Sequence, residues 1–386
     1  MAAKKKDTEK ENNLDPSTQL NAFLKNNPKD HYNFAESVNY KTSFGSLKLD
    51  IELGGIGPGI HRFCGLKEGG KTSEALEVTR NFLQEKNRRA VYIKAEGRLS
   101  DEMIRRSGVK FVHGDPTKEG DAWVDGTCYV HESNKFESVL EMISEMIHTN
   151  PTKKQYVFIV DSIDTLMKKS DFEKKFGESH TVAGGATLLS HFFKHMALPT
   201  SKFGHMIILM SQKRVDIPAS QYSAARPEKF SGGNAALHQA DLILEFLYRG
   251  TTYGEQSEYF MEGKNGQATD KNRIIGHNCK IKVEKCANEK SQMILTYPIK
   301  YGRVGGKSIW IEKELIDIML SFGLLIKKGA WYRFDESLIE VAKESKIEIP
   351  EEQMQGLAKV EELITTNEEL CNYLYNKFKE DLRKDL

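Results

Sequence analysis

The sequence predicts an α/β fold. A mostly parallel central sheet is covered by helices, with a small N-terminal segment before it and a helix-rich C-terminal domain after it. Three observations carry this expectation. Short apolar runs alternate with helical periods from about residue 60 to about residue 250. A glycine-rich turn ending in Gly70-Lys71-Thr72 lies between the first such run and the first helical period. The fourth run, residues 156–160, is wholly apolar and ends in Asp161. With 39 % hydrophobic and 29 % charged residues, the composition is that of a folded chain and excludes wholesale disorder.

Residues 1–16 are polar and charged and read as a flexible tail. Residues 17–25 suit a short helix, capped by Ser17 or Thr18, with Leu20, Phe23 and Leu24 as its apolar face; Asn26-Asn27-Pro28 stops it. An apolar stretch over 45–59 closes in the cluster Gly54-Gly55-Ile56-Gly57-Pro58-Gly59. Strands are then predicted at 60–64, 89–93, 126–131, 156–160, 205–210 and 242–247, and helices at 71–85, 100–107, 135–147 and 186–197. Gly254, Gly263, Gly266 and Gly276 fall among charges and break the alternation over 251–280, as a hairpin or mobile loop would. Two more strands fit 278–283 and 293–298, and helical periods resume at 311–322 and 351–386. A domain boundary falls at the pair Gly305-Gly306, giving regions 1–44, 45–305 and 306–386.

Lys and Arg number 56 and Asp and Glu 55, a net charge of +1. That excludes a globally basic coat, so any polyanion must meet a local patch. The five cysteines form no C-x-x-C pair and are odd in number, which points to reduced thiols in a cytoplasmic protein. No run of ~18 apolar residues suits a membrane span. The opening MAAKKKDTEKENN has no apolar region behind its lysines, so secretion is not expected.

Gly65-Leu66-Lys67-Glu68-Gly69-Gly70-Lys71-Thr72 satisfies G-x-x-x-x-G-K-[ST] between a predicted strand and a predicted helix, a P-loop in its confirming context. Gly65, Gly69 and Gly70 let the backbone turn tightly and aim N–H groups at phosphate oxygens. The following helix start adds partial positive charge. Lys71 supplies a point charge for the β- and γ-phosphates, and the Thr72 hydroxyl suits Mg²⁺. Gly65 through Ser73 are therefore the candidate nucleotide contacts. Asp161 emerges at the carboxyl end of a buried strand, where open sheets bind ligands, and suits Mg²⁺ through water. Glu96 stands just past the end of the strand over 89–93. A carboxylate there can orient water for attack on a γ-phosphate. The plainer alternative is a helix cap or a pair with Arg98.

Together with further blocks, these residues resemble the RecA recombinase family, including phage recombinases of the UvsX type. Gly45-Ser46-Leu47-Lys48-Leu49-Asp50-Ile51 is similar to the segment leading into the family's phosphate loop. Ala95-Glu96 resembles its catalytic glutamate, and Val160-Asp161-Ser162 its second ATP motif. Gly177-Glu178-Ser179-His180 resembles the first DNA-binding loop, and Met210-Ser211-Gln212-Lys213-Arg214 the glutamine switch. Gly232-Gly233-Asn234-Ala235 resembles the end of the second DNA loop. Lys282-Val283-Glu284-Lys285 is nearer the phage pattern, and Gly329-Ala330-Trp331-Tyr332 resembles a C-terminal block. The blocks run in order from about residue 45 to 335.

The resemblance implies a RecA-like P-loop ATPase core using ATP and Mg²⁺, preceded by an oligomerisation segment within 1–44. It implies single- and double-stranded DNA and further copies of the chain, in a helical filament, as partners, with loader and single-strand-binding proteins beside them. Gln212 would sense the γ-phosphate, and Lys285 would reach the nucleotide of the adjacent subunit. Met103 stands where the family has an aromatic residue stacking on adenine. The helix after the first DNA loop lacks the family's arginines, leaving Lys194 as the nearest basic residue, and the loop over 214–231 is longer.

Between 213 and 229, Lys213, Arg214, Arg226 and Lys229 oppose Asp216 and Glu228, so the segment is net positive by +2. It has no helical or alternating pattern, and loops this long are functional or disordered. Tyr222 offers a ring for base stacking, as single-strand binders use. Lys174, Lys175 and Gly177, with Gly232, Gly233 and Asn234, complete the candidate DNA contacts. His191 and His195 stand four apart on a predicted helix, but without a third ligand they read as core or surface residues. Trp331 and Tyr332 read as core of the C-terminal domain. The resulting expectation is a DNA-dependent ATPase that exchanges DNA strands in recombination and repair. A ring helicase motor of the same fold, and an accessory mediator with little hydrolysis, are the alternatives. The Gly232–Ala235 and Gly329–Tyr332 blocks speak against the first. Intact Lys71, Glu96, Asp161 and Gln212 speak against the second.

Overall fold

A computed structural model describes residues 15–28, 31, 38–97, 99–118, 122–175, 184–214, 229–230, 238–247, 259–261, 273–287 and 290–384. The chain forms two compact units, Met1–Ser37 and Val38–Leu386. In the first, helix α1 (Pro16–Asn26) starts on a proline, whose fixed φ suits a first helical turn. Asp15 is therefore the cap position, and Ser17 and Thr18 lie inside the helix, one turn earlier than their capping chemistry suggests.

In the second unit the elements run α2 (Leu47–Leu53), β1 (Gly59–Gly65), α3 (Lys71–Phe82), β2 (Arg88–Lys94), α4 (Asp101–Ser107), β3 (Phe111–Val112), β4 (Cys128–Glu132), α5 (Phe136–His148) and β5 (Gln155–Asp161). They continue with α6 (Lys169–Phe172), α7 (Gly184–Lys202), β6 (Met206–Arg214), β7 (Lys229–Phe230), β8 (Leu242–Phe246), β9 (Tyr259–Met261), β10 (Ile274–Lys285) and β11 (Ile294–Lys300). The sheet has the order β11-β10-β8-β1-β6-β5-β2-β4-β3, with β7 beside β6 and β9 beside β10. Strands from β3 to β8 along this order pair in parallel, whereas β10 and β11 close one edge antiparallel.

Alternation sorts each buried strand between two cores. Val157 and Ile159 of β5 face the side that holds Ala75, Val78 and Phe82 of α3. Phe158 and Val160 face Ile143 of α5 and Phe193 of α7. A third core joins Leu47 of α2 to residues beyond 310. There, α8 (Ile311–Ser321) leads into a small sheet of β12 (Leu325–Lys328), β13 (Trp331–Phe334) and β14 (Met354–Gln355), interrupted by α9 (Glu336–Glu344). The chain ends in α10 (Leu357–Thr366) and α11 (Glu368–Lys384).

Three expectations change. Helical periods alone do not describe the C-terminal region, because Gly329, at φ 61°, turns a hairpin that pairs Lys328 with Trp331. The last helix is two helices, broken at Asn367, whose Oδ1 accepts the Leu370 N–H. Trp331 is 44 % exposed rather than core, while Tyr332, pointing to the other face of the hairpin, is buried.

Candidate nucleotide site

The site forms where parallel strands end together. Gly65 at the end of β1 is in register with Gln212 of β6 and with Phe246 of β8. Lys94 at the end of β2 is opposite Asp161 of β5. The loop over 66–70 therefore starts level with Gln212, and the N–H groups of Ala95 and Glu96 donate to the Asp161 carbonyl at 2.9 and 3.1 Å.

The glycines of the loop are dictated by close approach. Gly65 has φ 132°, and a Cβ there would lie 2.2 Å from the Phe246 carbonyl oxygen. Gly70 has φ 104°, and a Cβ would come within 3.1 Å of Cys279 Sγ. Leu66, Lys67 and Glu68 form the exposed crest, and Gly69 is buried beneath it. Lys71 Nζ donates to the carbonyls of Gly65 and Leu66 at 3.1 and 2.6 Å, so the cation lies back across its own loop. Burial lowers the Lys71 pKa, opposed by the carboxylates of Asp161 and Glu96.

One carboxylate row joins the parts. Thr72 Oγ1 donates to Asp161 Oδ2 at 3.2 Å, and the Tyr92 hydroxyl donates to the same oxygen. Burial raises the Asp161 pKa, the Tyr92 hydrogen bond opposes this, and the nearby Glu96 adds to it. Ser162 Oγ donates to Glu96 Oε1 at 2.5 Å, and Gln212 Nε2 donates to that oxygen at 3.3 Å. The Gln212 N–H is held by Asp164 Oδ2 at 2.6 Å. Glu96 is thus oriented from two strands at once.

The hydroxyl of Thr72 and the carboxylate of Asp161 are hard oxygen donors at hydrogen-bond distance, a set that suits Mg²⁺. Beside them, Ser73, Met103, Arg106, Tyr297, Ile299 and Ser308 line a cavity of about 40 Å³. Arg106 Nη2 reaches Ser73 Oγ at 3.4 Å. Met103 therefore stands next to the start of α3, across the cavity from Ser73.

The model of the RecA N-terminal domain matches residues 33–303. The chain belongs to the RecA family. Protein RecA of Azospirillum lipoferum is 25 % identical over 78 % of this chain and 74 % of its own length. Protein RecA of Pseudomonas syringae pv. syringae is 25 % identical over 88 % of this chain and 81 % of its own. Protein RecA of Gluconacetobacter polyoxogenes is 27 % identical over 78 % and 76 %.

In this RecA-family chain the remaining candidates divide sharply. Lys285 lies away from the phosphate loop, opposite Ile243 near the start of β8, and its Nζ donates to the carbonyls of His238 and Ala240 at 2.7 and 2.6 Å. Lys213 follows Gln212 on β6 but points to the other face, where its Nζ pairs with buried Glu245 at 2.5 Å. That pairing removes Lys213 from the exposed cations a DNA loop would present. Lys174 pairs with Asp171 at 2.8 Å, and Lys175 is exposed. Arg214 and Lys229 lie on paired backbone of β6 and β7. Gly177, Tyr222, Arg226, Gly232, Gly233 and Asn234 lie outside the described residues.

Sequence reasoning missed Tyr92, Ser162, Asp164, Arg106 and Tyr297. Only Ser162 carried a signal, as the neighbour of Asp161. The ring centroids of His191 and His195 are 4.3 Å apart. Among the described residues no group of three or more His, Cys, Asp or Glu is placed to hold a metal. No described helix is long and apolar enough to cross a membrane.

Proposed function

We propose that this chain is an ATP-dependent DNA strand-exchange recombinase, nearest to the UvsX-type phage proteins, that assembles as a helical filament on single-stranded DNA. The observation that carries the reading is a pair of side-chain clusters, Thr72 and Tyr92 on Asp161 and Ser162 and Gln212 on Glu96, joined by the backbone bond from the Glu96 N–H to the Asp161 carbonyl. It joins a phosphate loop, a metal-suited pair, a carboxylate beside them and a glutamine that leads into a long basic segment.

In this mechanism Gly65 to Ser73 cradle the phosphates of ATP, and Lys71 swings from its loop carbonyls to the β- and γ-phosphates. Thr72 and Asp161 would hold Mg²⁺, whose charge would offset that of the phosphates. Glu96 accepts a hydrogen bond from the attacking water, with Ser162 fixing the carboxylate. Met103 packs on the base as a polarizable apolar surface. Gln212 exchanges its bond to Glu96 for one to the γ-phosphate, which changes the start of the segment over 214–231, an order–disorder switch. Lys174, Lys175, Gly177, Arg214, Tyr222, Arg226, Lys229, Gly232, Gly233 and Asn234 form the DNA-binding set. Lys285 completes the site of the neighbouring subunit, as an arginine finger would. The core spans 45–305, with 1–44 serving assembly and 306–386 as a C-terminal domain packed on the core through Leu47 and the Ser46–Glu314 bond.

Electron microscopy of the full chain with ATP and single-stranded DNA tests this reading. Helical filaments are expected, together with strand exchange on homologous duplex. Closed rings with directional unwinding would assign it to the helicases instead.

A further inference from the structure

The antiparallel edge of the sheet touches the phosphate loop directly. Cys279 of β10 and Tyr297 of β11 are cross-strand partners. Both are 2 % exposed, and both face the side of the sheet that carries α3. The Cys279 thiol donates to the Gly69 carbonyl at 3.2 Å. The Tyr297 hydroxyl donates to Glu74 Oε2 at 2.7 Å, in the first turn of α3. One cross-strand pair therefore grips both the loop and the helix start that together hold phosphate.

The peptide plane explains what the grip does. Across a trans peptide, the carbonyl of Gly69 and the N–H of Gly70 point in opposite directions. Drawing the carbonyl down to Cys279 turns the Gly70 N–H away from β10, the direction from which a phosphate would be received. A Cβ on Gly70 would meet the same sulfur at 3.1 Å, so the residue types at 70 and 279 are mutually fitted. Glu74 is buried, and burial raises its pKa well above the usual carboxylate range. Its Oε2 anchors α3 to Tyr297.

We propose that Cys279 and Tyr297 are positioning residues that hold the phosphate loop and the start of α3 in their nucleotide-receiving geometry. The proposal rests on the nucleotide reading of the loop. It concerns ground-state fit, so it predicts an effect on nucleotide affinity and KM rather than on kcat.

The test uses the full chain without DNA and a fluorescent ATP analogue as probe, followed by DNA-stimulated hydrolysis. Tyr297→Phe keeps the ring and loses the donor, and should weaken binding and raise KM roughly fivefold, the effect of one buried hydrogen bond, with kcat nearly unchanged. Cys279→Ala should weaken binding roughly threefold, and Cys279→Ser, which restores a donor, should recover it. Thermal melts show which variants fold, and the Cys279 pair gives the answer if Tyr297→Phe does not. Unchanged affinity in folded Tyr297→Phe and Cys279→Ala overturns the clamp. Equal losses in Cys279→Ala and Cys279→Ser overturn it too. Failure of the unaltered chain to bind the probe overturns the nucleotide reading beneath it.

Discussion

The two ends of the parallel strands treat polar side chains differently. At the carboxyl end, Thr72 and Tyr92 hydrogen-bond to Asp161, and Ser162 and Gln212 to Glu96, so each carboxylate is oriented by the chain itself. At the opposite end, Lys41, Glu52, His61, Asp241 and Lys290 surround a cavity of about 460 Å³ whose wall includes Gly54 to Pro58. There the buried His61 bonds the Gly57 carbonyl at 2.8 Å through Nε2, while its Nδ1 has no partner among the described residues. Lys285 rests nearby on backbone carbonyls. The difference teaches where each end can act. The wired end is suited to chemistry, because Thr72, Tyr92 and Ser162 already hold its two carboxylates before charge develops. At the opposite end Glu52 pairs with Lys290 at 3.2 Å and Asp241 Oδ2 accepts the Ile60 N–H at 2.8 Å, so charged groups that already have partners in the chain rim an open cavity there.

Breaking the wired end should have the largest effect. Lys71→Ala removes the cation of the phosphate loop, and DNA-stimulated ATPase should fall at least about tenfold, and further if the transition state uses the charge more than the ground state does. Near-normal turnover in a steady-state assay would take the loop out of the catalytic end altogether. Glu96→Gln keeps the shape of the row and removes its base. Hydrolysis should fall on the order of a hundredfold while ATP affinity stays within about threefold. Equal losses in both measurements would make Glu96 a structural member of the row and not its water-positioning group.

A smaller effect sharpens the comparison from outside both ends. Glu314 is buried where α8 meets the start of α2, accepting from Ser46 Oγ at 2.6 Å and from the Leu47 N–H at 2.9 Å. Burial, opposed by those bonds, raises its pKa to about 7. A carboxyl raised above its unfolded value of 4.5 stabilises the fold fully below that value, and the contribution is lost as pH rises through the folded pKa. Between pH 5 and 8 the loss should be on the order of 3 kcal/mol. Urea unfolding across that range should show a flatter profile for Glu314→Gln. Parallel profiles for the two chains would mean that the carboxyl titrates elsewhere.

What was legible in the sequence follows the reach of its patterns. The phosphate loop and Asp161 were legible because motif and strand are local. The sheet was legible because buried parallel strands read as apolar runs between helical periods. Glu96 and Gln212 were brought together by resemblance, and their shared oxygen emerged only in three dimensions. Tyr297 was hidden because Glu74 lies 223 residues away, and nothing near either residue marks the pair. Lys213 read as a loop cation because its partner Glu245 is on another strand. The C-terminal sheet was hidden by strands of two to four residues set among longer helical periods.

In the proposed filament the two ends are halves of one nucleotide site, joined only when subunits stack. The most direct test mixes two full-length variants, Lys71→Ala and Lys285→Ala, and follows DNA-stimulated ATPase across their ratio. Each alone should be nearly inactive, with Lys285→Ala still binding ATP in the absence of DNA. The mixture should regain activity, peaking near equal amounts at up to about a quarter of the unaltered rate, the share of head-to-tail interfaces that random assembly supplies with both lysines. A flat line at zero across all ratios, with co-assembly demonstrated separately, would contradict the shared site and leave Lys285 as the support of His238 and Ala240.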